Sequence, residues 1–320
     1  MKRLTLAIFV IAIFAVLSLF IGVSDVTPQT LLSNSEDGRA LQVLLISRIP
    51  RTLAIILSGA SMAIAGLIMQ ILARNNFVEP STAGTVESAS MGILFVTAFA
   101  PGMPLFGKML VATIFALAGT ALFLRILQQI PLRSVLIVPL VGMMLGGVIS
   151  AITTFFAYRL ELLQSLNAWM MGSFAGVLRG RYELLWISLI LTLIAYIAAD
   201  QFTVAGMGQD FTTNLGMNYN RVMTLGLIIV SMVTAVNVVT VGMIPFLGLV
   251  VPNVVRLTFG DNVRLAVPWI AVLGTGFVLI CDMIGRIINF PYEIPISVVI
   301  GVIGSFIFLY LLLRRNARVA

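Results

Sequence analysis

The chain has 320 residues, 60% of them hydrophobic and only 10% charged, against roughly a quarter charged in a soluble domain; its mean hydropathy is +1.11. This composition excludes an ordinary soluble domain and specifies a polytopic membrane protein. The net charge of +7 fits loop arginines near lipid headgroups rather than nucleic-acid binding. With no histidine and a single cysteine, Cys281, histidine bases, histidine-held zinc or haem, cysteine metal clusters and an intrachain disulfide are excluded.

Apolar runs of about 20 residues recur from end to end, each long enough to cross roughly 30 Å of hydrocarbon as a helix. A β-barrel would show short alternating segments instead. Lys2 and Arg3 precede an apolar run longer than a signal-peptide core, with no small-x-small site after it, so residues 4–23 read as a retained first span. The further spans are expected at 52–72, 83–100, 108–127, 134–157, 183–199, 222–241, 245–259, 266–285 and 295–313. The predicted fold is therefore all-α: about ten transmembrane helices in a single domain, residues 1–320. An even number puts both ends on one side, and Lys2, Arg3, Arg314, Arg315 and Arg318 place that side in the cytoplasm. Eleven of the nineteen Lys and Arg residues then lie inside or near inner ends, and eight outside.

The second span opens on Arg48-Ile49-Pro50-Arg51, in what this orientation makes the outer loop 24–51. Positive charge normally gathers inside, so a basic pair outside points to a soluble acidic partner. Glu87 lies near the inner end of the third span. Residues Gly102 to Lys108 resemble a phosphate-binding loop, but Met109 stands where the magnesium-binding hydroxyl belongs and no strand precedes it, so the chain is expected to carry no nucleotide site. Pro139, Pro245, Pro252 and Pro268 interrupt spans, and small residues pair as Gly142/Gly146 and Gly172/Gly176. Tight helix packing and a translocation path both fit these breaks. Trp169, Trp186 and Trp269 fall near the expected interfaces, and the sixteen methionines are scattered as ordinary apolar packing.

The inner segment 200–221 is polar and long; Gln209 to Leu215 can form two helical turns closed by Gly216, a plausible docking element for a cytoplasmic protein. Asp282 lies four residues before Arg286, on the same helix face, and reads as an ion pair orienting that arginine. Glu293 follows in the same outer loop. A weak internal echo joins Gly66-Leu67 before Arg74 to Gly248-Leu249 before Arg256 at the same spacing.

Several co-linear motifs resemble the iron-siderophore and vitamin B12 ABC importer permeases, nearly from end to end. They are Ser47 through Leu53 with Arg48 and Arg51, Gly66 through Gln70, Arg74-Asn75 with Pro80, Trp169 through Ser173, Pro245 through Pro252 with Arg256, and Asp282 through Arg286 with Glu293 and Pro295. The resemblance implies a type II importer architecture in the bacterial inner membrane: two permease subunits, identical or different, two cytoplasmic ATP-binding subunits and an external substrate-binding protein. It implies that the binding protein docks through acidic residues on Arg48, Arg51 and Arg286, that residues 207–218, with Gly208, Asp210, Leu215 and Gly216, couple to the ATPase, and that Asn75 and Phe77 sit at a cytoplasmic gate. Asn76, Asn253, Ser297 and Phe306 depart from the family's usual proline, histidine, glycine and proline. The run Arg74 through Pro80 with Thr82 through Gly84 looks like the branch serving catecholate or mixed siderophores such as petrobactin and anguibactin. The expected function is import of a ferric siderophore, with haem or cobalamin as alternative substrates, no cofactor and no resident metal. The competing class is a secondary transporter driven by protons or sodium, for which Glu87 would be the titrating carboxylate.

Overall fold

The computed structural model describes residues 2–22, 39–130, 137–260 and 262–316. Arg318 and most of the outer loop before Arg39 lie outside these residues. Thirteen helices and no strand occur among them: α1 Lys2–Phe20, α2 Arg39–Leu72, α3 Thr85–Phe99, α4 Leu105–Gln129, α5 Ile137–Arg159, α6 Leu163–Met170, α7 Leu185–Ile197, α8 Ala199–Gly206, α9 Gln209–Asn214, α10 Tyr219–Thr240, α11 Leu247–Phe259, α12 Val263–Ile287 and α13 Ile296–Asn316.

Ten of these (α1 to α5, α7 and α10 to α13) fall on the ten expected spans. Seven helices are long and apolar enough to cross a membrane alone, and α7 becomes an eighth if it is joined to α8 across a 63° bend. The other two, α3 and α11, have 15 and 13 residues. At 1.5 Å per residue they rise only about 20 Å, short of the roughly 30 Å of hydrocarbon. Segment 73–84, which includes the single 3-10 turn Pro80–Thr82, and segment 241–246 adjoin these short helices. Such segments survive at membrane depth where protein satisfies their backbone: Met243 N–H donates to the Met170 carbonyl, and the Val241 and Asn76 carbonyls accept from Ser173 N–H and Asn253 Nδ2.

The central element is α2. Of its most apolar stretch, 83% is buried inside the fold, against 6% for α1; it packs against α12, α10, α11 and α7. Its start corrects the expected span border. The helix begins at Arg39 rather than near residue 52, and passes through Pro50 by way of a π-turn, Leu44–Arg48. Proline has no N–H to donate and clashes with the carbonyl four residues back. The wider π-turn absorbs this, and the carbonyl released, that of Ile46, accepts a hydrogen bond from Arg179 N–H at 3.0 Å.

Glycine sets how close the neighbours of α2 come. Gly59 faces the backbone of α12 at Gly274, and Gly66 faces α11 at Gly248. The two glycines of the internal echo therefore meet face to face. Gln70 Nε2 donates to the Gly248 carbonyl at 3.3 Å, and Asn237 Nδ2 of α10 to Ser61 Oγ at 3.4 Å. On α5, Gly142 packs against the Thr82 carbonyl and Gly146 against Glu87 of α3, so this pair serves tight packing. The remaining faces of α5 and α13, with Met144, Val148, Phe155, Val302, Phe306 and Tyr310, are exposed and apolar.

A Cβ on Gly66 would lie 2.1 Å from the Gly248 Cα, a backbone atom that no rotamer change can move. Overpacking of this kind costs about 1–3 kcal/mol or more. Gly66→Ala is therefore expected to lower the thermal midpoint of the purified protein, whereas Gly147→Ala, with open space around its Cβ, leaves it unchanged.

Candidate functional site

Two clusters stand at opposite ends of α2. The end carrying Arg51 is the outer one in the orientation expected from the termini. There Arg51 donates from Nη2 to Asp282 Oδ1 at 2.7 Å and from Nη1 to both Glu293 oxygens at 2.9 and 2.7 Å. Arg286 Nη2 pairs with Asp282 Oδ2 at 2.6 Å, one helical turn along α12. Arg286 Nη1 also donates to the Ser18 and Ile21 carbonyls at 2.9 and 2.7 Å, and Arg48 Nη1 to the Ile21 carbonyl at 2.5 Å. The end of α1, the upper part of α2 and the end of α12 are thus fastened by three guanidinium groups and two carboxylates.

The structure brings Arg48, Arg51 and Arg286 together as the sequence suggested, but it corrects how they are presented. They belong to helices rather than loops, and they are only 6%, 8% and 3% exposed. Unpaired charges at such depth would cost several kcal/mol each; Asp282 and Glu293 neutralise most of that. Glu293 is the accessible member, with its side chain 26% exposed. Asp282 orients Arg286 as expected, and also holds Arg51, which spacing along one helix could not reveal.

At the inner end α2 stops at Leu72. Arg74 adopts a left-handed backbone with φ 47°, and the chain turns back on itself. Asn75 is buried and its Oδ1 accepts from Phe77 N–H at 2.9 Å, an Asx-turn that shapes the reversal. The Phe77 ring meets Phe308 of α13 edge-on at 5.8 Å. Asn253 of α11 donates to the Asn76 carbonyl at 2.7 Å, so two of the positions that depart from the usual family pattern meet in one contact.

Glu79 is the residue that sequence reasoning passed over. It is 2% exposed, and its carboxylate accepts from Phe246 N–H at 2.8 Å and lies against the N–H groups of Gly248 and Leu249. These are the unsatisfied donors that begin α11, and a carboxylate suits the positive end of the helix dipole. Glu79 therefore caps, from 167 residues away, a helix that starts inside the bundle. A lone acid between Val78 and Pro80 in so apolar a chain was the available signal.

Residues 207–218 contain α9, one residue shorter than the helix expected at 209–215. Gly208 and Gly216 take φ values of +121° and +76°, which only glycine adopts without strain. Gly216 N–H returns to the Thr213 carbonyl and Met217 N–H to that of Thr212, the C-terminal closure expected of Gly216. Asp210 is exposed, and so are Phe211 at 48% and Leu215 at 57%. A cavity of about 610 Å³ opens beside this segment, lined among others by Gln70, Arg74, Asn76, Met207, Arg256 and Asn262; both arginines of the echo border it. Glu87 lies on α3 against Gly146, within electrostatic reach of Glu79. Among the described residues no three acidic or cysteine side chains gather as a metal site would require.

Residues 9–314 match the FecCD transport family. The chain is 49% identical over 316 residues to the petrobactin import system permease protein YclN of Bacillus subtilis strain 168, covering 98% of this chain and 99% of the relative. It is 43% identical over 315 residues to the petrobactin import system permease protein FatD of Bacillus anthracis, covering 98% and 92%. A solved structure described as an inward-facing conformation of a metal-chelate type ABC transporter superposes with a TM-score of 0.82 at 26% identity, covering 98% of this chain and 99% of the other.

Removing one partner of a buried pair costs about 3–5 kcal/mol. Asp282→Ala, which leaves Arg286 without a carboxylate and Arg51 with only Glu293, is expected to lower the thermal midpoint strongly. Asp200→Ala removes the exposed pair with Arg264, in which both side chains are 61% exposed, and is expected to leave the midpoint unchanged in the same melting experiment.

Proposed function

The chain belongs to the FecCD transport family, and on that premise we propose that it is the permease through which an ABC importer carries a ferric siderophore of the catecholate or mixed type. The observation that carries the substrate class is the 49% identity, across 98% of the chain, to a petrobactin import permease. The chain is a multi-span membrane permease and not an enzyme; ATP hydrolysis belongs to a separate subunit. In this reading residues 1–320 act as one transmembrane domain with both termini in the cytoplasm of a bacterial cell. A second permease, identical or related, covers the exposed apolar faces of α5 and α13, two ATPases bind below, and a binding protein delivers substrate from outside.

Physical chemistry supports this division of labour. A ferric siderophore brings its own oxygen ligands, so the permease needs a wide, weakly binding path rather than a compact ligand set. On the inner side, α9 presents Phe211 and Leu215 to solvent, apolar surface suited to a protein partner. Docking of the ATPase on 207–218, with Gly208 and Gly216 shaping the segment and Asp210 and Leu215 meeting the partner, would let ATP-driven motion reach the turn at Asn75 and Phe77. On the outer side, three arginines against two carboxylates leave an excess positive charge, and Glu293 is its accessible edge. An acidic group of the binding protein would dock by taking the place of Glu293 on Arg51, rather than by meeting three free cations.

Uptake into liposomes holding the permease, its ATPase and the binding protein tests the importer reading. Import of ferric petrobactin is expected to stop without internal ATP and to persist with a protonophore. Loss on uncoupling with survival after ATP removal would overturn it in favour of a gradient-driven carrier, and faster uptake of cobalamin or haem would overturn the substrate class.

Docking at the outer cluster has its own test, because Arg→Glu changes at three buried positions would disrupt the fold. Glu293→Gln releases Arg51 without touching Asp282. It is expected to tighten binding of the external protein several-fold in a titration, with a melting midpoint lowered less than by Asp282→Ala, because Arg51 keeps Asp282 and Glu293 is partly exposed. Equal or weaker binding contradicts the exchange of carboxylates.

A further inference from the structure

We propose that Arg74 is the positioning residue that ties the segment 207–218 to the gate turn 75–79, and that it sets how much substrate moves per ATP hydrolysed. The inference rests on the importer reading and adds a residue that neither the family resemblance nor the comparisons assign.

Arg74 stands where α2 has just ended. Its N–H still donates to the Ile71 carbonyl at 3.1 Å, but its φ of 47° turns the side chain out of the helix line. A left-handed backbone is uncommon for arginine, so the surrounding structure holds it there. The guanidinium then makes three approaches. Nη2 donates to Tyr219 Oη at 3.3 Å, and Cζ lies 5.6 Å from the centroid of the same ring. A Cβ on Gly208 would lie 3.6 Å from Nη2, so the chain at Gly208 runs directly beside the group. Arg74 thereby lies beside Gly208, which precedes α9, and contacts Tyr219, which opens α10. It also borders two inner cavities, of about 550 and 610 Å³, and is the one residue common to the two linings.

Contacts run on from Arg74 in the other direction. Its chain neighbour Asn75 holds Phe77, which meets Phe308 of α13. The Asn76 carbonyl holds Asn253, and Glu79 holds the start of α11. The turn is thus fastened to α11 at two points, the start and the middle of the helix, and the two are expected to move together. A displacement of 207–218 by a docked ATPase reaches them through Arg74 over a continuous set of packed and hydrogen-bonded groups.

A bland alternative is that Arg74 supplies only a positive charge at the inner end of a span. Lysine would serve that purpose equally well. It cannot present a broad, delocalised guanidinium to the Tyr219 ring. The conservative substitution therefore separates the two roles.

The test uses the complete importer in liposomes, measuring ATP hydrolysed per ferric petrobactin imported. Arg74→Lys and Arg74→Ala are expected to raise that ratio at least fivefold, through lost uptake, while ATP hydrolysis and the amount of co-purified ATPase stay within twofold of the unaltered protein. Tyr219→Phe, which keeps the ring, is expected to stay near the unaltered ratio. Tyr219→Leu is expected to match Arg74→Ala, and the double variant Arg74→Ala/Tyr219→Leu to be no worse than either single change, the sign of one shared interaction. An unchanged ratio in Arg74→Lys, or additive losses in the double variant, would overturn the role of Arg74 alone. Import without ATP by the unaltered protein would overturn the importer reading and this inference with it.

Discussion

Two backbones touch where Gly66 of α2 meets Gly248 of α11, and much of the architecture follows from that contact. Without side chains between them, α11 can start alongside the lower half of α2 instead of at the bundle's outer edge. A helix that starts inside an apolar bundle exposes its first N–H groups where no water can satisfy them. Glu79 meets that demand from the segment between α2 and α3, and Gln70 of α2 meets the Gly248 carbonyl. The carboxylate in turn requires the chain after α2 to reverse and climb back into the bundle, which shortens α3. One close approach therefore dictates a cap, a reversal and two short helices.

The outer end obeys a different constraint. Three arginines enter a poorly solvated site, which is tolerable only because two carboxylates enter with them. Asp282 bridges Arg51 of α2 and Arg286 of α12, while carbonyls at the end of α1 accept from Arg286 Nη1. The cluster is first a fastening of three helices. Glu293 is more exposed than any of the three arginines, so the proposed docking would exchange one carboxylate for another in place of simple attraction.

The two ends are joined by the length of α2, which is buried and packs against α1, α7, α8, α10, α11 and α12. The inner end is joined differently. There the connections pass through side chains, with Arg74 on Tyr219, Phe77 on Phe308 and Asn253 on a carbonyl, and α9 carries exposed apolar groups. An element that must move with a partner is best held by such separable contacts, whereas the backbone contacts of Gly59 and Gly66 admit no intermediate positions.

The amino-acid sequence by itself determined the class, the approximate positions of ten helices, the helical turn closed by Gly216, the Asp282–Arg286 pair and the family. These depend on composition, on run length and on spacing within one helix, which are local properties. Only the tertiary structure decided that α2 begins at Arg39, that α3 and α11 fall short of the bilayer, that the three arginines are enclosed and that Glu79 caps a helix far along the chain. Each of these depends on which segments approach one another: a carboxylate reads the same in sequence whether it meets water, a guanidinium or the open end of a helix. The repeated Gly-Leu spacing before Arg74 and Arg256 was visible in the sequence, but that its two glycines touch, and that Arg74 reaches the chain at Gly208, could come only from the packing of α2 against α11 and α10.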